Sequence, residues 1–348
     1  MRRWLSMLAL VAGCQRHSAA SARLPVVPPA LRAAIGDVDG DGRGEVALAD
    51  DRRLWVIDRG GRELASLPAP GGIQALVVTE VDGKPAVVAG WGRDRAHPDA
   101  GARIAVYRLD GAALVEEVIA QPDSERPQIA AIVAAPPDLL IAWYADKYVV
   151  KSALARRAAG GWQLEELAAL RTAASYALGD VDGDGRRDLV VGRFYGDQLA
   201  SDGEAFLLRP DGTRVPIATT RGVNAIAVAG GDVFLADGWD KDYARTAVAL
   251  LTRARWSGGA FHSEVIGRVK PDYTIWQVVA ADLDGDGDVE LVARGSGSVW
   301  LFEHKGTRWL GRKVARIASD VAVGEMDGTP GSEVLVVGTQ RSTWLGAR

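Results

Sequence analysis

An acidic, glycine-rich segment occurs three times in this 348-residue chain and constrains the fold more than any other feature. The copies read GDVDGDGRGEVALA at residues 36–49, GDVDGDGRRDLVVG at 179–192 and ADLDGDGDVELVAR at 281–294. In each copy an aspartate-rich loop leads directly into an apolar run, which is the pattern of a metal-stabilised turn before a buried strand. A segment that returns in this way indicates a repeat protein.

Weaker copies lie between and after the three clear ones. Residues 80–90 keep a shortened loop, residues 137–142 and 231–237 keep only the apolar strand, and residues 324–338 form a degenerate last copy. The copies are separated by 43 to 58 residues when their first loop positions are placed at 37, 80, 130, 180, 224, 282 and 325. Seven units at this spacing match the blade repeat of roughly 40 to 50 residues.

Each complete unit has room for four short strands. In the first unit these are residues 31–35, 45–49, 53–58 and 63–68, separated by glycine-rich turns. Trp55, Trp300 and Trp344 follow the first loop position of their units by 18, 18 and 19 residues, so we expect them to be core residues between blades. The sequence therefore predicts an all-β fold, a seven-bladed β-propeller of four-stranded blades, spanning residues 24–348.

The last unit has room for only three strands, ending with residues 342–345. We expect Leu24–Val27 to supply its missing outer strand and to close the ring, because closure removes exposed sheet edges. The alternative, an open solenoid, would require capping units. The sequence contains no segment of that kind.

The segment GDVDGDGRRDLVVG resembles the FG-GAP/VCBS repeats of integrin-α-like propellers and of many secreted bacterial proteins. The resemblance covers most of the chain after its N-terminal segment, with three strong copies, one moderate copy and three weak ones. It implies the propeller fold and metal-binding loops, and it implies much less about function.

The acidic loops are predicted to bind Ca²⁺. Alternate aspartates supply hard oxygen ligands and the glycine at the sixth position permits the sharp turn. The loops contain no His or Cys, which argues against zinc or copper. An EF-hand is excluded because position 12 is Leu48, Val191 or Ala293 and a strand follows. An empty acidic turn is the alternative, although crowded carboxylates repel one another. The predicted ligands are Asp37, Asp39, Asp41, the Arg43 carbonyl and Glu45; Asp180, Asp182, Asp184, the Arg186 carbonyl and Asp188; and Asp282, Asp284, Asp286, the Asp288 carbonyl and Glu290.

We expect calcium to have a structural role, linking the two innermost strands of a blade. The last unit retains the acidic residues Glu325, Asp327 and Glu333 and leaves open a weaker fourth site, but Thr329 replaces the middle aspartate, which favours an empty loop. No site is expected in the second unit, because the loop that contains Glu80 and Asp82 is too short.

The N-terminus is predicted to be an export signal. Two arginines precede the apolar run at residues 4–12, and small residues precede Cys14, the only cysteine. This arrangement resembles the bacterial lipobox, which implies a signal peptide at 1–13, a lipidated Cys14 that anchors the chain to a membrane, and a tether at 14–23. Gln15, by resemblance to Gram-negative sorting rules, favours the outer membrane or cell surface over the inner membrane. The alternative is an ordinary signal peptide that contains a cysteine.

The loops that join the second and third strands of a blade are expected on the face of the ring opposite the metal loops. In units two to five they combine aromatic and charged residues, which favours a ligand-binding face, and loops leading into the innermost strands add Arg126, Tyr176, Arg221, Tyr273 and Trp276. The alternative is that the aromatic residues cap the blade core and the charges pair with one another. The candidate ligand residues are Trp91, His97, Trp143, Tyr144, Asp146, Lys147, Tyr195, Asp197, Trp239, Asp240 and Lys241.

These features predict an exported, monomeric, calcium-binding module or scaffold for a protein or glycan at the bacterial envelope, and not an enzyme. The formal net charge of −4 argues against a broad basic surface for nucleic acid. The alternative is a polysaccharide-active enzyme of lyase or dehydratase type on the face opposite the metal loops. Its candidate acid–base pairs are His97 with Asp99 and Asp146 with Lys147. The sequence contains no G-x-S-x-G, H-E-x-x-H or phosphate-loop motif, which argues against the enzyme.

Overall fold

The structure is a computed structural model that describes residues 24–194, 202–220, 222–238, 248–270, 272, 274–316 and 318–345. These residues form 27 strands. Blades 1 to 4 contain β1 (Arg32–Gly36), β2 (Glu45–Ala49), β3 (Arg53–Ile57), β4 (Glu63–Pro68), β5 (Gly72–Val81), β6 (Lys84–Gly92), β7 (Arg103–Asp110), β8 (Ala113–Ala120), β9 (Ile129–Ala135), β10 (Asp138–Tyr144), β11 (Val149–Ala158), β12 (Gly161–Arg171), β13 (Ala173–Gly179), β14 (Asp188–Arg193), β15 (Gly203–Leu208) and β16 (Arg214–Thr220). Blades 5 to 7 contain β17 (Val223–Ala229), β18 (Asp232–Asp237), β19 (Ala249–Ser257), β20 (Ala260–Val269), β21 (Ile275–Ala281), β22 (Glu290–Gly295), β23 (Ser298–Lys305), β24 (Arg308–Arg316), β25 (Asp320–Gly324), β26 (Glu333–Val337) and β27 (Thr343–Leu345).

The strands form seven antiparallel sheets, six of four strands and a last one of three strands in the described part of the chain. Within each sheet the strands follow chain order, so every blade is a meander. The first strand of each blade contacts the first strand of the next, and β25 contacts β1. The ring is therefore closed, and the predicted seven-bladed β-propeller is confirmed.

The core lies between neighbouring blades, because the second strand of a blade is buried on both faces. All five residues of β2 are buried. Val46 and Leu48 pack toward blade 7, and Ala47 and Ala49 pack toward blade 2. Burial on both faces explains why these strands read as continuous apolar runs and not as an alternation of apolar and polar residues.

All three tryptophans pack between blades as predicted, and two of them face the same way. Trp55 is fully buried toward the preceding blade, and Trp300 packs in the same way between blades 5 and 6. Trp344 lies one residue further along its unit, and it pairs across the sheet with Leu335, which faces the next blade. Trp344 packs against the core between blades 7 and 1, so it is a core residue between blades as predicted. It faces the next blade and not the preceding one, because a shift of one residue turns a strand side chain to the other face.

Two of the loop positions predicted for the degenerate units are wrong. Residues 130 and 224 lie inside β9 and β17. The turns to the second strands are at Pro136-Pro137 and Gly230-Gly231, where no aspartate series marks the loop. The shortened loop of unit two is confirmed as a two-residue turn at Asp82-Gly83, with φ angles of 56° and 66°. Its predicted first position, Glu80, belongs to β5.

The segment before β1 does not form the predicted outer strand of blade 7. Residues 24–30 have no strand structure, although they run antiparallel to β27. The carbonyl oxygens of Pro25 and Pro28 accept hydrogen bonds of 2.8 Å from Trp344 Nε1 and Ser342 Oγ. Pro25, Pro28 and Pro29 carry no N–H group, so this segment cannot form a ladder. It contributes to closure by packing Val27 into the core between blades 7 and 1.

Within the described residues no helix is long and apolar enough to cross a membrane. The predicted signal peptide, Cys14 and the tether lie outside the described residues.

Candidate metal loops and the opposite face

The three acidic loops, residues 37–44, 180–187 and 282–289, join the first and second strands of blades 1, 4 and 6. All three therefore lie on one face of the ring, which we call the metal-loop face. The loops that join second and third strands lie on the opposite face, because successive strands are antiparallel. The ring thus separates the two groups of candidate residues predicted from the sequence.

Backbone N–H groups hold the carboxylates of the first loop in place. The two carboxylate oxygens of Asp37 accept the N–H groups of Gly40 and Gly42 at 2.6 and 3.0 Å, and Asp39 accepts that of Asp41 at 3.0 Å. Gly40 and Gly42 have φ angles of 84° and 82°, which favour glycine. The same hydrogen bonds and positive φ angles recur in the loops of blades 4 and 6.

The ninth residue of each loop is a buried carboxylate at the start of the second strand. Glu45 is 2% exposed and accepts the Val38 N–H group at 2.8 Å. Burial, together with the neighbouring Asp39 and Asp41 carboxylates, raises the pKa of Glu45 to about 7. Burial also raises the pKa values of the corresponding carboxylates, Asp188 and Glu290.

The described residues fit a hard divalent cation such as Ca²⁺. Each loop gathers three carboxylate oxygens within 4.8 Å of one another. The donor set contains only oxygen, as calcium prefers, and a buried carboxylate with a raised pKa is stabilised by a nearby positive charge. Each group omits one predicted carboxylate: Glu45 in blade 1, Asp184 in blade 4 and Asp286 in blade 6. The groups are Asp37, Asp39 and Asp41; Asp180, Asp182 and Asp188; and Asp282, Asp284 and Glu290.

The loop of blade 7 keeps part of this framework. Glu333 accepts the Met326 N–H group at 2.7 Å, and Asp327 accepts the Thr329 N–H group at 2.9 Å. Pro330 occupies the sixth position, where the other loops have a glycine with positive φ. The weaker fourth site remains an alternative to an empty loop.

The raised pKa of Glu45 predicts how stability depends on pH. Without calcium, folded Glu45 holds its proton up to about pH 7, whereas its ordinary pKa is 4.5. The folded state then binds more protons than the unfolded state between these values, so stability should fall as pH rises from 4.5 to 7. Calcium requires the deprotonated ligands, so its presence should reduce or reverse this slope. Urea denaturation across this range, with chelator or with calcium, measures the effect.

Glu45→Gln provides the control for this prediction. In chelator the variant should lose part of the pH slope, and the remainder would come from Asp188, Glu290 and Glu333, whose pKa values are raised in the same direction. An identical slope in Glu45→Gln and the unaltered chain would contradict the assignment to Glu45.

On the opposite face, the structure places Trp91 in the core. Its side chain is fully buried, and its Nε1 donates a 2.9 Å hydrogen bond to the Tyr107 hydroxyl. The hydroxyl in turn donates to Glu116 at 2.7 Å. Trp91 therefore has the packing role that the sequence left as the alternative, and its side chain is not available to a ligand.

Blade 3 brings aromatic rings and cations together on the opposite face. The Arg126 guanidinium lies 4.4 Å from the centre of the Tyr144 ring, and Lys147 Nζ lies 5.1 Å from that of Tyr148. Tyr148 is 39% exposed. Asp146 accepts two backbone N–H groups, from Tyr148 and the next residue, which lower its pKa. Asp146 thus shapes the loop that presents Lys147 and Tyr148.

Of the remaining candidate residues that the structure describes, some pack in the core, one contacts a carboxylate and one is exposed to solvent. Trp143 packs against the core between blades 2 and 3. His97 Nδ1 lies 3.1 Å from the Asp94 carboxylate, so its partner is Asp94 and not the Asp99 of the enzyme alternative. Trp276 is 42% exposed, whereas Tyr176 is buried. Tyr195, Asp197, Arg221, Trp239, Asp240, Lys241 and Tyr273 lie outside the described residues.

Polar residues that the sequence analysis missed line the central channel, a cavity of about 550 Å³ between the innermost strands. The Gln277 side chain accepts the Val321 N–H group at 3.1 Å and donates to the Val321 carbonyl at 2.8 Å. Asp320 accepts the Ala33 N–H group at 3.1 Å, and burial raises its pKa. These side chains join neighbouring blades. A polar residue near the start of an apolar innermost strand is the signal that could have identified them.

No family model matches the chain, and no curated protein matches it. Among solved structures, it is similar to the crystal structure of BBS1N in complex with ARL6DN, soaked with lead. The TM-score is 0.58 and the sequence identity is 13%, and the alignment covers 92% of each chain. At this identity the similarity concerns the fold alone. Together with the closed ring of seven sheets, it identifies the chain as a β-propeller.

Proposed function

We propose that this chain is an exported, calcium-stabilised β-propeller of the FG-GAP/VCBS type that acts as a binding or scaffold module. The observation that carries the proposal is the division of the ring into two faces. Hydrogen-bonded acidic loops occupy one face, and aromatic rings beside cations occupy the other. A rigid scaffold with variable loops on one face is a common arrangement for recognition.

A protein partner is the ligand that we favour, at the opposite face. Arg126, Tyr144, Lys147 and Tyr148 form a compact patch of aromatic and guanidinium or ammonium groups. Tyr, Trp and Arg are the residues that dominate protein interfaces. A propeller of similar fold, BBS1N, has been solved with a protein partner, ARL6DN. A glycan is the second ligand class, because exposed aromatic rings such as Trp276 also suit sugars.

The path of the N-terminal segment supports an orientation at the envelope. Gly61, in the hairpin between β3 and β4 on the metal-loop face, lies against Pro25 and Val26. The chain therefore joins the propeller from the metal-loop face. A lipid anchor at Cys14, as proposed for an outer-membrane or cell-surface lipoprotein, would direct the opposite face away from the membrane.

Affinity capture from the parent envelope tests this function. We expect the double variant Arg126→Ala/Tyr144→Ala to lose at least tenfold in captured partner, because the stacked pair presents the patch. Trp276→Ala should also reduce capture. Arg308→Ala changes an exposed arginine on the metal-loop face and should leave capture unchanged. Capture is quantified by mass spectrometry from the same lysate, with calcium and with chelator.

The outcomes separate the candidate functions. Capture that is equal for the double variant and for Arg308→Ala would contradict a binding face on blade 3. Binding to envelope polysaccharide in place of protein would select the glycan ligand. Turnover of a polysaccharide that is lost in Lys147→Ala would replace the binding module with the enzyme alternative.

A further inference from the structure

In blades 3 and 5, which have no acidic loop, an arginine neutralises the carboxylate at the start of the second strand. In blade 5, Asp232 lies directly opposite Arg255 on the third strand, with Nε–Oδ1 and Nη2–Oδ2 distances of 2.8 and 3.0 Å. In blade 3, Asp138 lies opposite Arg156, with corresponding distances of 2.9 and 2.8 Å. Both are bidentate pairs, the strongest form of carboxylate recognition by arginine.

Blades 1 and 6 have an acidic residue at the same cross-strand position. Glu45 lies opposite Asp58, and Glu290 lies opposite Glu303, next to the Val46–Ile57 and Leu291–Phe302 pairs. Among the ion pairs of the described residues, none reaches Glu45 or Glu290. In these two blades no described arginine supplies this positive charge, and under the proposed calcium function a bound cation would supply it.

Blade 4 combines the two arrangements. It has a complete acidic loop, and Arg209, which directly follows β15, stands opposite Asp188, next to the Leu189–Leu208 pair. Arg209 Nη1 lies 3.3 Å from Asp188 Oδ1 and 4.0 Å from Asp184 Oδ2, and Nη2 is bonded to Asp182 Oδ2. The guanidinium therefore contacts three of the four carboxylates predicted to bind calcium in this loop.

We propose that Arg209 is an internal counter-ion of the blade 4 loop that competes with calcium for its carboxylates. A guanidinium and a divalent cation that share the same carboxylates repel each other. Calcium must therefore displace Arg209 and break its charge-assisted hydrogen bonds to the loop. The blade 4 loop should then bind calcium at least tenfold more weakly than the loops of blades 1 and 6. Blade 4 would keep its shape without calcium. The inference rests on the proposed calcium function and specifies which loop responds to calcium concentration.

Isothermal titration with calcium tests the proposal in a chain in which blade 4 keeps the only complete, unaltered acidic loop. Asp37→Asn/Asp282→Asn weakens the other two loops, and Arg209→Gln is then added to that background. We expect Arg209→Gln to raise the calcium affinity of the remaining site at least tenfold. Arg156→Gln, which removes the equivalent arginine from a blade without an acidic loop, should leave the affinity unchanged.

A reciprocal variant covers the case in which Arg209→Gln does not fold. Glu303→Arg places an arginine opposite Glu290, and it should weaken the blade 6 site at least tenfold. Unchanged affinity in both Arg209→Gln and Glu303→Arg would overturn the proposal for Arg209. The unaltered chain should bind more calcium than Asp37→Asn/Asp282→Asn. If the two bind the same amount, the proposed calcium function fails instead, and Arg209 is then only a structural ion-pair residue.

Discussion

Removing calcium is expected to lower the melting temperature of the folded chain by on the order of 10 °C. Extracellular calcium sites bind at about 10⁻⁴–10⁻³ M, and ligand at 100 times Kd stabilises a protein by about 2.7 kcal/mol per site. Two strong sites, in blades 1 and 6, would together contribute about 5 kcal/mol at about 10 mM calcium if their Kd is near 10⁻⁴ M. Each kcal/mol corresponds to about 2 °C in a chain of this size. Differential scanning calorimetry in calcium and in EDTA measures the difference.

The physical reason is repulsion between the carboxylates. Asp37, Asp39 and Asp41 hold oxygen atoms within 4.8 Å of one another, and the buried Glu45 lies behind them. Asp37→Asn should remove part of the calcium effect, since the amide still accepts the Gly40 N–H group but carries no charge. Asp110→Asn, at an exposed outer hairpin, should leave the calcium effect intact. Equal melting temperatures in calcium and EDTA would rule out a structural role for the loops.

Replacing Trp91 by alanine is expected to destabilise the fold by about 3–5 kcal/mol. The indole is fully buried in the core between blades 1 and 2, and its removal leaves a cavity next to Ala89, Ala105 and Leu76. It also deprives the buried Tyr107 hydroxyl of a donor. Urea denaturation would show the loss as a lower midpoint.

Two further variants distinguish the contributions to this loss of stability. One separates the lost side-chain volume from the lost hydrogen bond, and the other compares a buried tryptophan with an exposed one. Trp91→Phe keeps most of the ring volume and loses the Nε1 bond to Tyr107, so it should cost about 1–2 kcal/mol. Trp276→Ala truncates an exposed tryptophan and should change stability by less than about 0.5 kcal/mol. A Trp91→Ala variant with unchanged stability but reduced partner capture would show that Trp91 acts in binding and not in packing.

The fold was predictable because the repeat signals are local. Each acidic loop carries its own glycines and aspartates, and each second strand is apolar on both faces, so the unit could be recognised wherever it occurred. Where the loop had decayed, the apolar strands at 137–142 and 231–237 were still located correctly, as β10 and β18. The loop positions at residues 130 and 224 were misplaced by several residues, because no aspartate series marks the loop in these units.

The candidate site was predictable only in part. The acidic loops were identified because all their ligands lie within nine residues of one another in sequence. The importance of Arg209 could not be inferred in this way, since it reaches Asp188 from the neighbouring strand, 21 residues away. The burial of Trp91 and the exposure of Trp276 depend on which blade faces each side chain, and residue type alone does not decide this.

The sequence by itself determined the number of blades, the strand order within them and the face on which the acidic loops lie, because turn chemistry and chain direction act over a few residues. The tertiary structure decided what depends on register and on neighbours. It turned Trp344 toward blade 1, held the proline-rich segment beside β27 without a ladder, and placed Arg209 among the carboxylates of blade 4. A shift of one residue in a strand, or the contact of one blade with the next, changes these outcomes without changing the repeat.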